Sequence, residues 1–367
     1  MTDATATMSS DERRDALVER LFSAASESFG LLCLYVGDRL GLYRALADHG
    51  PLSSRELAEA ASIHERYARE WLEQQAATGV LEVAEEADDP AARRFLLPAG
   101  HDEALLDGES LNYAAPFGRV LVAAALPIHR LLEVFRTGEG LPYEAYGADL
   151  YEGQAAFTKP LFLNLLGQEW LPAIPDVDAR LRDDPPARVA DLACGGGMSS
   201  IAIARAYPGA TVDGIDLDGP SIELARRNLA GSGVEDRVDF QVHDAAHLPH
   251  AGEYDLVTIF EALHDMSYPV DVLRAARRLL RVDGSLLVCD ERTADAFRAP
   301  ADDLERFYYG ISVLHCLPVG MVGESPAGTG TVMRAATVER YASEAGFSSF
   351  EILPIENEFF RLYRLRP

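Results

Sequence analysis

The chain has 367 residues, 48% of them hydrophobic, which is enough for two domains that each bury a core. Its formal net charge of −26 argues against nucleic acid or an anionic membrane surface as a partner. The four cysteines include no C-x-x-C pair, no apolar run is long enough to span a bilayer, and the first residues lack the basic-then-apolar pattern of a secretion signal. Together these features predict a cytoplasmic protein with reduced thiols and no membrane segment.

The first 110 residues have the pattern of a winged helix. Ser53 and Glu56 form an S-x-x-E capping box, which is typical of a helix start. Apolar residues with helical spacing flank this box, and two short segments with a strand pattern follow. Together they predict a compact helical domain that ends in a two-stranded wing. The predicted elements are helices over 29–47, from Ser53 onward and over 64–77, and strands over 80–83 and 95–97.

A helix-turn-helix with a wing is normally a DNA-binding unit. Residues 1–110, however, carry ten basic and 22 acidic side chains. The helix that would enter the major groove holds three glutamates, Glu65, Glu70 and Glu73, against two arginines, Arg66 and Arg69. This charge is wrong for contacts with phosphates, so we expect no DNA binding.

A glycine-rich turn is the most informative feature of the segment 183–367, which follows a predicted helical connection at 111–182. Arg188–Leu192 is short, apolar and followed by three glycines, as a buried parallel strand leading into a helix should be. Asp216 closes the next predicted strand, where a carboxylate can accept hydrogen bonds from ribose hydroxyls. The pattern predicts a nucleotide-type cofactor at a helix N-terminus. The dinucleotide motif G-x-G-x-x-G would need a glycine at Ser200, so a nicotinamide oxidoreductase is disfavoured.

These residues resemble motif I of the class I S-adenosylmethionine (SAM) methyltransferases, an acidic residue followed by G-x-G-x-G, with Ala193 in place of the first glycine. The runs G-I-D-L-D at 214–218 and H-D-A at 243–245 follow in the family's order. The resemblance implies an α/β fold with a Rossmann-like, seven-stranded domain over 183–367 and SAM as cofactor. In the family, the position of Asp244 bonds the adenine amino group. The cofactor-binding residues that we predict are Asp191, Ala193, Gly195, Gly197, Asp216, Leu217, Asp244, Ala245 and Phe260.

The N-terminal region resembles the first domain of small-molecule O-methyltransferases. In that family it forms the dimer interface and helps to wall the substrate pocket. The resemblance implies an α-rich winged-helix dimerisation domain over 1–110, a pocket wall from the helical connection at 111–182, a homodimer and a small-molecule substrate.

The fourth strand of the predicted sheet ends in the run F-E-A-L-H-D at 260–265, which matches the His-Asp pair of plant-type O-methyltransferases. The match implies that His264 is the general base for a substrate hydroxyl, with Asp265 or Glu291 orienting it. An imidazole suits this role because its pKa lies near working pH. SAM brings the activated methyl group, and the protein has mainly to align the reactants. The alternative is that His264 is a structural hydrogen-bonding residue.

A second arrangement predicts different chemistry. His264, Asp265 and His315 are two imidazoles and a carboxylate, the ligand set of a facial triad for iron or a similar divalent ion. The arrangement resembles the metal-containing C-methyltransferases of α-keto acids and implies metal-assisted C-methylation as an alternative function. Otherwise His315 contacts the substrate or packs in the core. A non-catalytic regulator that senses SAM is the alternative from another class.

Overall fold

The structure is a computed structural model that describes residues 8–248 and 251–367. Packing divides the chain into two compact units, Met1–Val122 and Ala123–Pro367. The division falls inside the helical connection that we predicted at 111–182. In the described part of the chain, no helix combines the length and the apolar character that a bilayer span requires.

Unit 1 is largely helical with a small antiparallel sheet. Its strands pair in the order β1-β3-β2, with Leu52 opposite Phe95 and Val83 opposite Phe95. β2 and β3 form the wing. The elements are α1 (Ser10–Arg39), α2 (Leu42–His49), β1 (Leu52–Ser53), α3 (Ser54–Ala61), α4 (Glu65–Ala77), β2 (Glu82–Glu85), a short 3₁₀ turn (Pro90–Ala92), β3 (Arg94–Leu96), α5 (His101–Leu106) and, running across the division, α6 (Pro116–Ala125).

Local signals explain where these helices begin and end. The Ser53 side chain accepts a hydrogen bond from the Glu56 backbone N–H, and the Glu56 carboxylate accepts one from the Ser53 backbone N–H. The predicted capping box is therefore confirmed. The single helix that we predicted over 29–47 is wrong. The chain breaks at Gly41, which has φ +68°, and α1 and α2 are separate helices.

Unit 2 contains, within the described residues, a seven-stranded sheet in the order β6-β5-β4-β7-β8-β10-β9. The first five strands in this order are parallel, and β10 runs antiparallel to both β8 and β9. The predicted Rossmann-like sheet is confirmed. The strands are β4 (Arg188–Leu192), β5 (Thr211–Asp216), β6 (Val238–Val242), β7 (Tyr254–Phe260), β8 (Leu280–Glu291), β9 (Ser349–Ile352) and β10 (Phe360–Arg366).

Helices cover both faces of this sheet, and each face has its own apolar core. One core contains Trp170, Ile203 and Phe240, and the other contains Leu273, Val288 and Tyr363, all fully buried. The helical elements are α7 (Ile128–Thr137), a 3₁₀ turn (Tyr143–Tyr146), α8 (Ala148–Leu161), a π-helical segment (Phe162–Trp170), α9 (Pro175–Arg182), α10 (Met198–Ala206), α11 (Gly219–Leu229), a 3₁₀ turn (Ala245–His247), α12 (Pro269–Leu279), α13 (Asp303–Ile311), a π-helical turn (Ser312–Cys316), α14 (Leu317–Gly320) and α15 (Ala335–Ala345).

The strand order reverses between β4 and β7, because the chain builds β5 and β6 on one side of β4 and then returns to build β7 and β8 on the other. Open α/β sheets bind their ligands outside the carboxyl ends of the strands at such a switch point. The topology therefore directs attention to the residues that follow β4, β5, β7 and β8.

Candidate active site

The turn between β4 and α10 is built from residues in left-handed backbone conformations. Ala193, Gly195 and Gly197 have φ of +56°, +51° and +74°. A Cβ added at Gly197 would lie 2.4 Å from the Phe240 ring, whereas one added at Gly195 would meet no described atom within 4 Å. Gly197 thus permits close packing of helix on sheet, and Gly195 leaves open space above the turn. Ala193 adopts a conformation that favours glycine, which is the residue the family motif has there.

Asp191 is buried beneath this turn, and both of its carboxylate oxygens accept hydrogen bonds from the protein. Ser199 and Ser200 donate to Oδ2, each at 2.6 Å, and Thr258 donates to Oδ1 at 2.7 Å. Burial raises the pKa of Asp191, against the effect of these three hydroxyls. The carboxylate ties β4 to α10 and β7 and so holds the turn in place. Ser200, the residue that departs from the dinucleotide motif, serves here as one of the donors.

Asp216 lies at the end of β5 beside the glycine turn. Its Oδ2 accepts a hydrogen bond from the Gly195 backbone N–H at 2.8 Å, and its Oδ1 accepts one from the Asp218 N–H at 2.8 Å. Burial raises the pKa of Asp216 to about 6, although these two backbone donors lower it. The neighbouring Leu217 side chain is 72% exposed. The carboxylate is thus fixed next to the open space above Gly195.

The three remaining predicted cofactor residues occupy different settings. Asp244 is exposed, and its carboxylate accepts from the Ala246 N–H at 2.9 Å and contacts His247 Nδ1 at 2.8 Å. Ala245 begins the 3₁₀ turn that Asp244 caps. Phe260 ends β7 in the core, with its ring centroid 5.5 Å from that of Phe162. Asp244 and Ala245 follow β6, two strands away from β4.

His264 lies just after β7 and is 3% exposed. Its Nδ1 is 2.9 Å from Asp290 Oδ1 and 3.0 Å from Glu291 Oε2, both at the end of the neighbouring strand β8. The carboxyl ends of two adjacent parallel strands therefore bring together one imidazole and two carboxyl groups. We call His264, Asp290 and Glu291 the carboxylate–imidazole cluster.

The electrostatics of this cluster are strongly coupled. Burial by itself would lower the pKa of His264, but the negative charges of Glu291 and Asp290 outweigh it and raise the pKa well above its usual value. Burial raises the pKa of Glu291. The negative charge of Asp290 raises this pKa further, whereas the positive charge of His264 lowers it. Burial likewise opposes ionisation of Asp290, but the charge of His264 keeps the pKa of Asp290 below its usual value. The cluster therefore holds a proton firmly on or near the imidazole.

Asp290 and Glu261 escaped our sequence prediction. Asp290 is one residue before the predicted Glu291 and is 1% exposed, so a search of both carboxylates in the C-D-E run would have found it. Glu261 follows β7 with φ +54°, and burial, with the charges of Glu291 and Asp290, raises its pKa well above the usual value. Asp265, which we predicted as an orienting residue, interacts with His264 through its charge, and burial raises its pKa to about 6.

The described structure does not bring the residues of the predicted metal triad together as one ligand set. Among the described residues, the group of three side chains whose ligand atoms lie close enough for one ion consists of His264, Asp290 and Glu291, within 4.8 Å of one another. Asp265 and His315 do not belong to it. His315 is buried in its π-helical turn, where its ring packs edge-on against Tyr146 at 4.6 Å and Tyr143 at 5.8 Å. Metal-assisted C-methylation by the predicted triad has no support in this arrangement.

The glycine-rich loop at 320–331 is anchored to the same region. The Gly330 N–H donates to the His264 carbonyl at 3.0 Å, and the Ala327 N–H donates to the Ser267 carbonyl at 2.8 Å. The loop is therefore held against the segment that carries the imidazole.

Comparison with known proteins agrees with this architecture. Residues 183–339 match the model of a methyltransferase domain, and residues 28–107 match an Rv2258c-like winged HTH domain. A ubiquinone biosynthesis O-methyltransferase of Thiobacillus denitrificans is 31% identical over 48% of this chain and 72% of its own length. The methyltransferase GfsG of Streptomyces halstedii is 36% identical over 28% of this chain and 37% of its own length. The chain thus spans from about a third to about three quarters of the length of these two relatives.

Solved structures share the whole fold at low sequence identity. A protein of Nostoc punctiforme described as a putative O-methyltransferase superposes with a TM-score of 0.67 at 20% identity, covering 99% of this chain and 100% of its own. Human N-acetylserotonin methyltransferase in complex with SAM superposes with a TM-score of 0.68 at 18% identity, covering 98% of this chain and 99% of its own.

The family matches and the site together define the class of the protein. The chain belongs to the SAM-dependent methyltransferases. Within that class it combines the methyltransferase domain with an N-terminal winged-helix domain. SAM is the cofactor of this family, and the residues present fit it, because Asp216 offers a fixed carboxylate beside the open space above Gly195.

Proposed function

We propose that this enzyme transfers the methyl group of SAM to a hydroxyl oxygen of a small molecule, with His264 as the general base. One observation carries the proposal. His264 follows the carboxyl end of β7, and its Nδ1 is held by Asp290 and Glu291 at the carboxyl end of β8. Asp216 lies at the carboxyl end of β5, on the same side of the sheet. An imidazole oriented by carboxylates is the arrangement that a general base needs.

The mechanism follows from the two nitrogens of the imidazole. Because Nδ1 faces Asp290 and Glu291, the proton of the acceptor hydroxyl goes to Nε2. The imidazolium that results is stabilised by the two carboxyl groups, as the raised pKa of His264 indicates. Bound SAM supplies an electrophilic methyl group on a positively charged sulfur. A sulfonium bound near His264 would favour the neutral, basic form of its imidazole.

The strength of this base indicates the kind of hydroxyl. A phenol has a pKa of about 10, close enough to that of an imidazole with a raised pKa for proton transfer during attack. An aliphatic alcohol is far less acidic. We therefore infer a phenolic or enolic acceptor rather than an alcohol.

The cofactor roles that we assign follow the resemblance and the geometry. Asp216 accepts the ribose hydroxyls, the turn that contains Ala193, Gly195 and Gly197 faces the methionine end, and Asp191 holds that turn. Asp244 and Ala245 bind the adenine, and the exposed Leu217 side chain covers it. Phe260 forms the floor of the cofactor site. Tritium-labelled SAM trapped by ultraviolet light on these residues would support this assignment, and labelling elsewhere on the chain would contradict it.

Formation of S-adenosylhomocysteine (SAH) tests the proposed reaction. The protein is incubated with SAM and catechol, or with veratrole, in which both hydroxyls are already methylated. We expect SAH to form with catechol and not with veratrole. We also expect a chelator to leave the rate of SAH formation unchanged, because the proposed reaction uses no metal. SAH formation that needs a divalent metal would contradict the proposal, as would equal rates with both compounds.

We also propose that the enzyme is a homodimer through unit 1. α1 leaves a row of large apolar side chains exposed, more than a monomer normally shows on one helix. These include Val18 at 61%, Phe22 at 77% and Phe29 at 67% exposure. Light scattering should give twice the chain mass, and Phe22→Glu with Phe29→Glu should give the monomer. A monomeric wild-type protein would contradict the dimer.

We propose a small molecule, and neither nucleic acid nor a membrane, as the partner of this enzyme. In α4, Arg66 pairs with Glu70, and Arg69 pairs with Glu65 at 3.4 Å, so these arginines are neutralised within their own helix. The four cysteines are free thiols, which supports a cytoplasmic location. Retention of duplex DNA at low salt would contradict the proposal that nucleic acid is not a partner.

A further inference from the structure

Glu261, directly after β7, is an acidic residue whose carboxyl group has no arginine or lysine partner among the described residues. It is half-buried, and Gln154 Nε2 lies 3.5 Å from its Oε2, which is the limit of a hydrogen bond. An uncharged amide at this distance offsets little of the free energy that a carboxylate loses when it leaves water. The carboxyl group of Glu261 is thus poorly compensated in the ligand-free protein.

The charges around Glu261 make it a weak acid. Burial raises the pKa of Glu261 well above its usual value. The negative charges of Glu291 and Asp290 raise this pKa further, whereas the positive charge of His264 lowers it. Water nevertheless reaches part of the residue. This combination is typical of a side chain that lines a deep ligand cavity, and a cation in that cavity would stabilise the ionised form of Glu261.

The backbone at Glu261 is held in a strained conformation. Its φ of +54° lies in the left-handed region, which is unfavourable for a residue with a Cβ. The Glu261 N–H donates to the Cys289 carbonyl at 2.7 Å, which fixes this conformation against β8. Strained residues of this kind cluster at active sites and ligand-binding sites, where the surrounding structure maintains them.

The sheet places Glu261 between the two parts of the proposed site. β7 lies between β4 and β8 in the strand order. The register of β7 on β4 puts the residues that end and follow β7 level with the start of the glycine turn at Ala193. The register of β7 on β8 puts Glu261 level with Asp290. Glu261 therefore lies between the turn that we assign to the methionine end of SAM and the carboxylate–imidazole cluster.

α8 contacts both Glu261 and the glycine turn. Gln154, which reaches the Glu261 carboxyl group, is followed in α8 by Ala155. The Cβ of Ala155 lies 2.6 Å from the position that a Cβ on Gly196 would take. Because adjoining residues of one helix meet Gly196 and Glu261, the carboxyl group lies close to the glycine turn.

Methyl transfer determines where the positive sulfur of the cofactor has to lie. The sulfur joins the methionine end of SAM to the ribose, and its methyl group has to point at the acceptor oxygen beside His264. The sulfur consequently lies between the glycine turn and the carboxylate–imidazole cluster. This is the interval in which β7 ends and Glu261 follows.

We propose that the Glu261 carboxylate binds the positively charged sulfur of SAM and makes the site select SAM over SAH. This assignment rests on the proposed placement of the cofactor and of His264. During transfer the bond between sulfur and the methyl carbon breaks, its electron pair stays on sulfur, and the sulfur becomes uncharged. The attraction to Glu261 ends at that point, so the residue assists the exchange of SAH for a new molecule of SAM.

Calorimetric titration with three ligands tests this assignment. SAM carries a positive sulfur, SAH carries a neutral one, and sinefungin carries an ammonium group on carbon in place of the methylated sulfur. All three share the adenosine and the charged amino-acid group, so their charges differ at the reacting position. Glu261→Gln keeps the shape of the side chain and removes its charge.

The Glu261→Gln protein should bind SAM and sinefungin about tenfold more weakly than the wild type does, and SAH with unchanged affinity. The control is Glu223→Gln, because Glu223 is exposed in α11 and its replacement changes the net charge by the same amount. The control should leave all three affinities unchanged.

Two results would overturn the assignment. An equal loss of affinity for all three ligands would show that Glu261 acts on a group they share, such as the ammonium group of methionine. Unchanged affinity for SAM and sinefungin would show that Glu261 does not contact the charge. In both cases SAH formation from catechol by the wild type would still support the proposed function.

The thermal stability of the ligand-free protein separates a ligand-binding role from a structural one. Glu261→Gln removes a carboxyl group that the charges of Asp290 and Glu291 disfavour, so its Tm should equal or exceed that of the wild type. The comparison is Glu305→Gln, which removes a buried carboxylate paired with Arg334 and should lower the Tm. A fall in the Tm of Glu261→Gln as large as that of Glu305→Gln would contradict the assignment.

Discussion

The two sides of the proposed active site differ in how far the protein satisfies its own polar groups. On the cofactor side, the carboxylates of Asp191 and Asp216 accept hydrogen bonds from hydroxyls and backbone N–H groups of the described chain. On the acceptor side, buried atoms of His315 and Thr331 lack a hydrogen-bond partner among the described residues.

This difference reflects what each side has to do. The cofactor is constant, so its site can be rigid and internally complete, with a few fixed atoms left for the ligand. The acceptor side must recognise one molecule and reject others, and unpaired buried groups provide such discrimination because only the right ligand satisfies them. The cost is stability that the ligand-free protein forgoes at these positions.

The largest effect should follow from replacement of the base. His264→Gln removes the group that accepts the hydroxyl proton, and kcat should fall by about 10²–10⁴-fold with SAH affinity unchanged. Steady-state rates with catechol and calorimetry with SAH measure the two quantities. His129→Gln, a change of an exposed histidine in α7, is the control and should leave both unchanged. If the rate of the His264→Gln enzyme lies within threefold of the wild-type rate, His264 is a structural residue and not the general base.

Replacement of the ribose carboxylate should affect the cofactor side alone. Asp216→Asn removes a charged acceptor of hydrogen bonds and should weaken SAH binding by about 10–100-fold, as calorimetry would measure. Asp213→Asn is the control on the same strand, because Asp213 pairs with Arg188 at 3.0 Å and accepts from the Tyr254 hydroxyl. That control should lower stability and leave affinity intact. Normal SAH affinity in Asp216→Asn would contradict our placement of the cofactor.

A smaller effect concerns pH. The negative charge of Glu291 helps to raise the pKa of His264, and only the deprotonated imidazole acts as a base. Activity should therefore rise with pH, and Glu291→Gln should move this rise to lower pH by about one unit. The pH profile of kcat/KM for catechol measures the shift. A rise that stays in place, or moves to higher pH, would contradict the assigned electrostatics of the cluster.

The smallest effect should come from Ala193. Its φ of +56° disfavours any residue with a Cβ, so Ala193→Gly should raise the free energy of unfolding by about 0.5–1 kcal/mol. Denaturant titration measures the change. Ala190→Gly, at a fully buried position in the adjoining strand β4, is the control and should destabilise the protein. If both variants lose stability equally, the left-handed conformation at Ala193 carries no strain.

The same contrast explains what the sequence predicted. The cofactor side follows from contiguous runs, because a strand, a glycine turn and a helix lie within about twenty residues and each has a local pattern. The seven-stranded sheet and the wing were predicted for the same reason and are confirmed. The break at Gly41 was missed because helical periodicity continues across it.

The acceptor side depends on residues far apart in the chain. Asp290 meets His264 because β7 and β8 are neighbours, and periodicity does not reveal which carboxylate of the Asp290–Glu291 pair reaches the ring. The sequence did not indicate that Asp290 and Glu291, rather than Asp265 and His315, lie closest to the His264 ring, because membership of a shared loop region does not fix where side chains point. The unpaired state of His315 and Thr331 is a property of packing and has no signal in the sequence.

The position of the transferred methyl group distinguishes O-methylation from C-methylation in one experiment. Wild-type enzyme is incubated with catechol and SAM that carries a carbon-labelled methyl group, and the product is examined by nuclear magnetic resonance. We expect a methyl group bonded to oxygen, formed at least about a hundredfold more slowly by His264→Gln. A methyl group bonded to carbon, or equal rates for the two enzymes, would contradict O-methylation with His264 as the base.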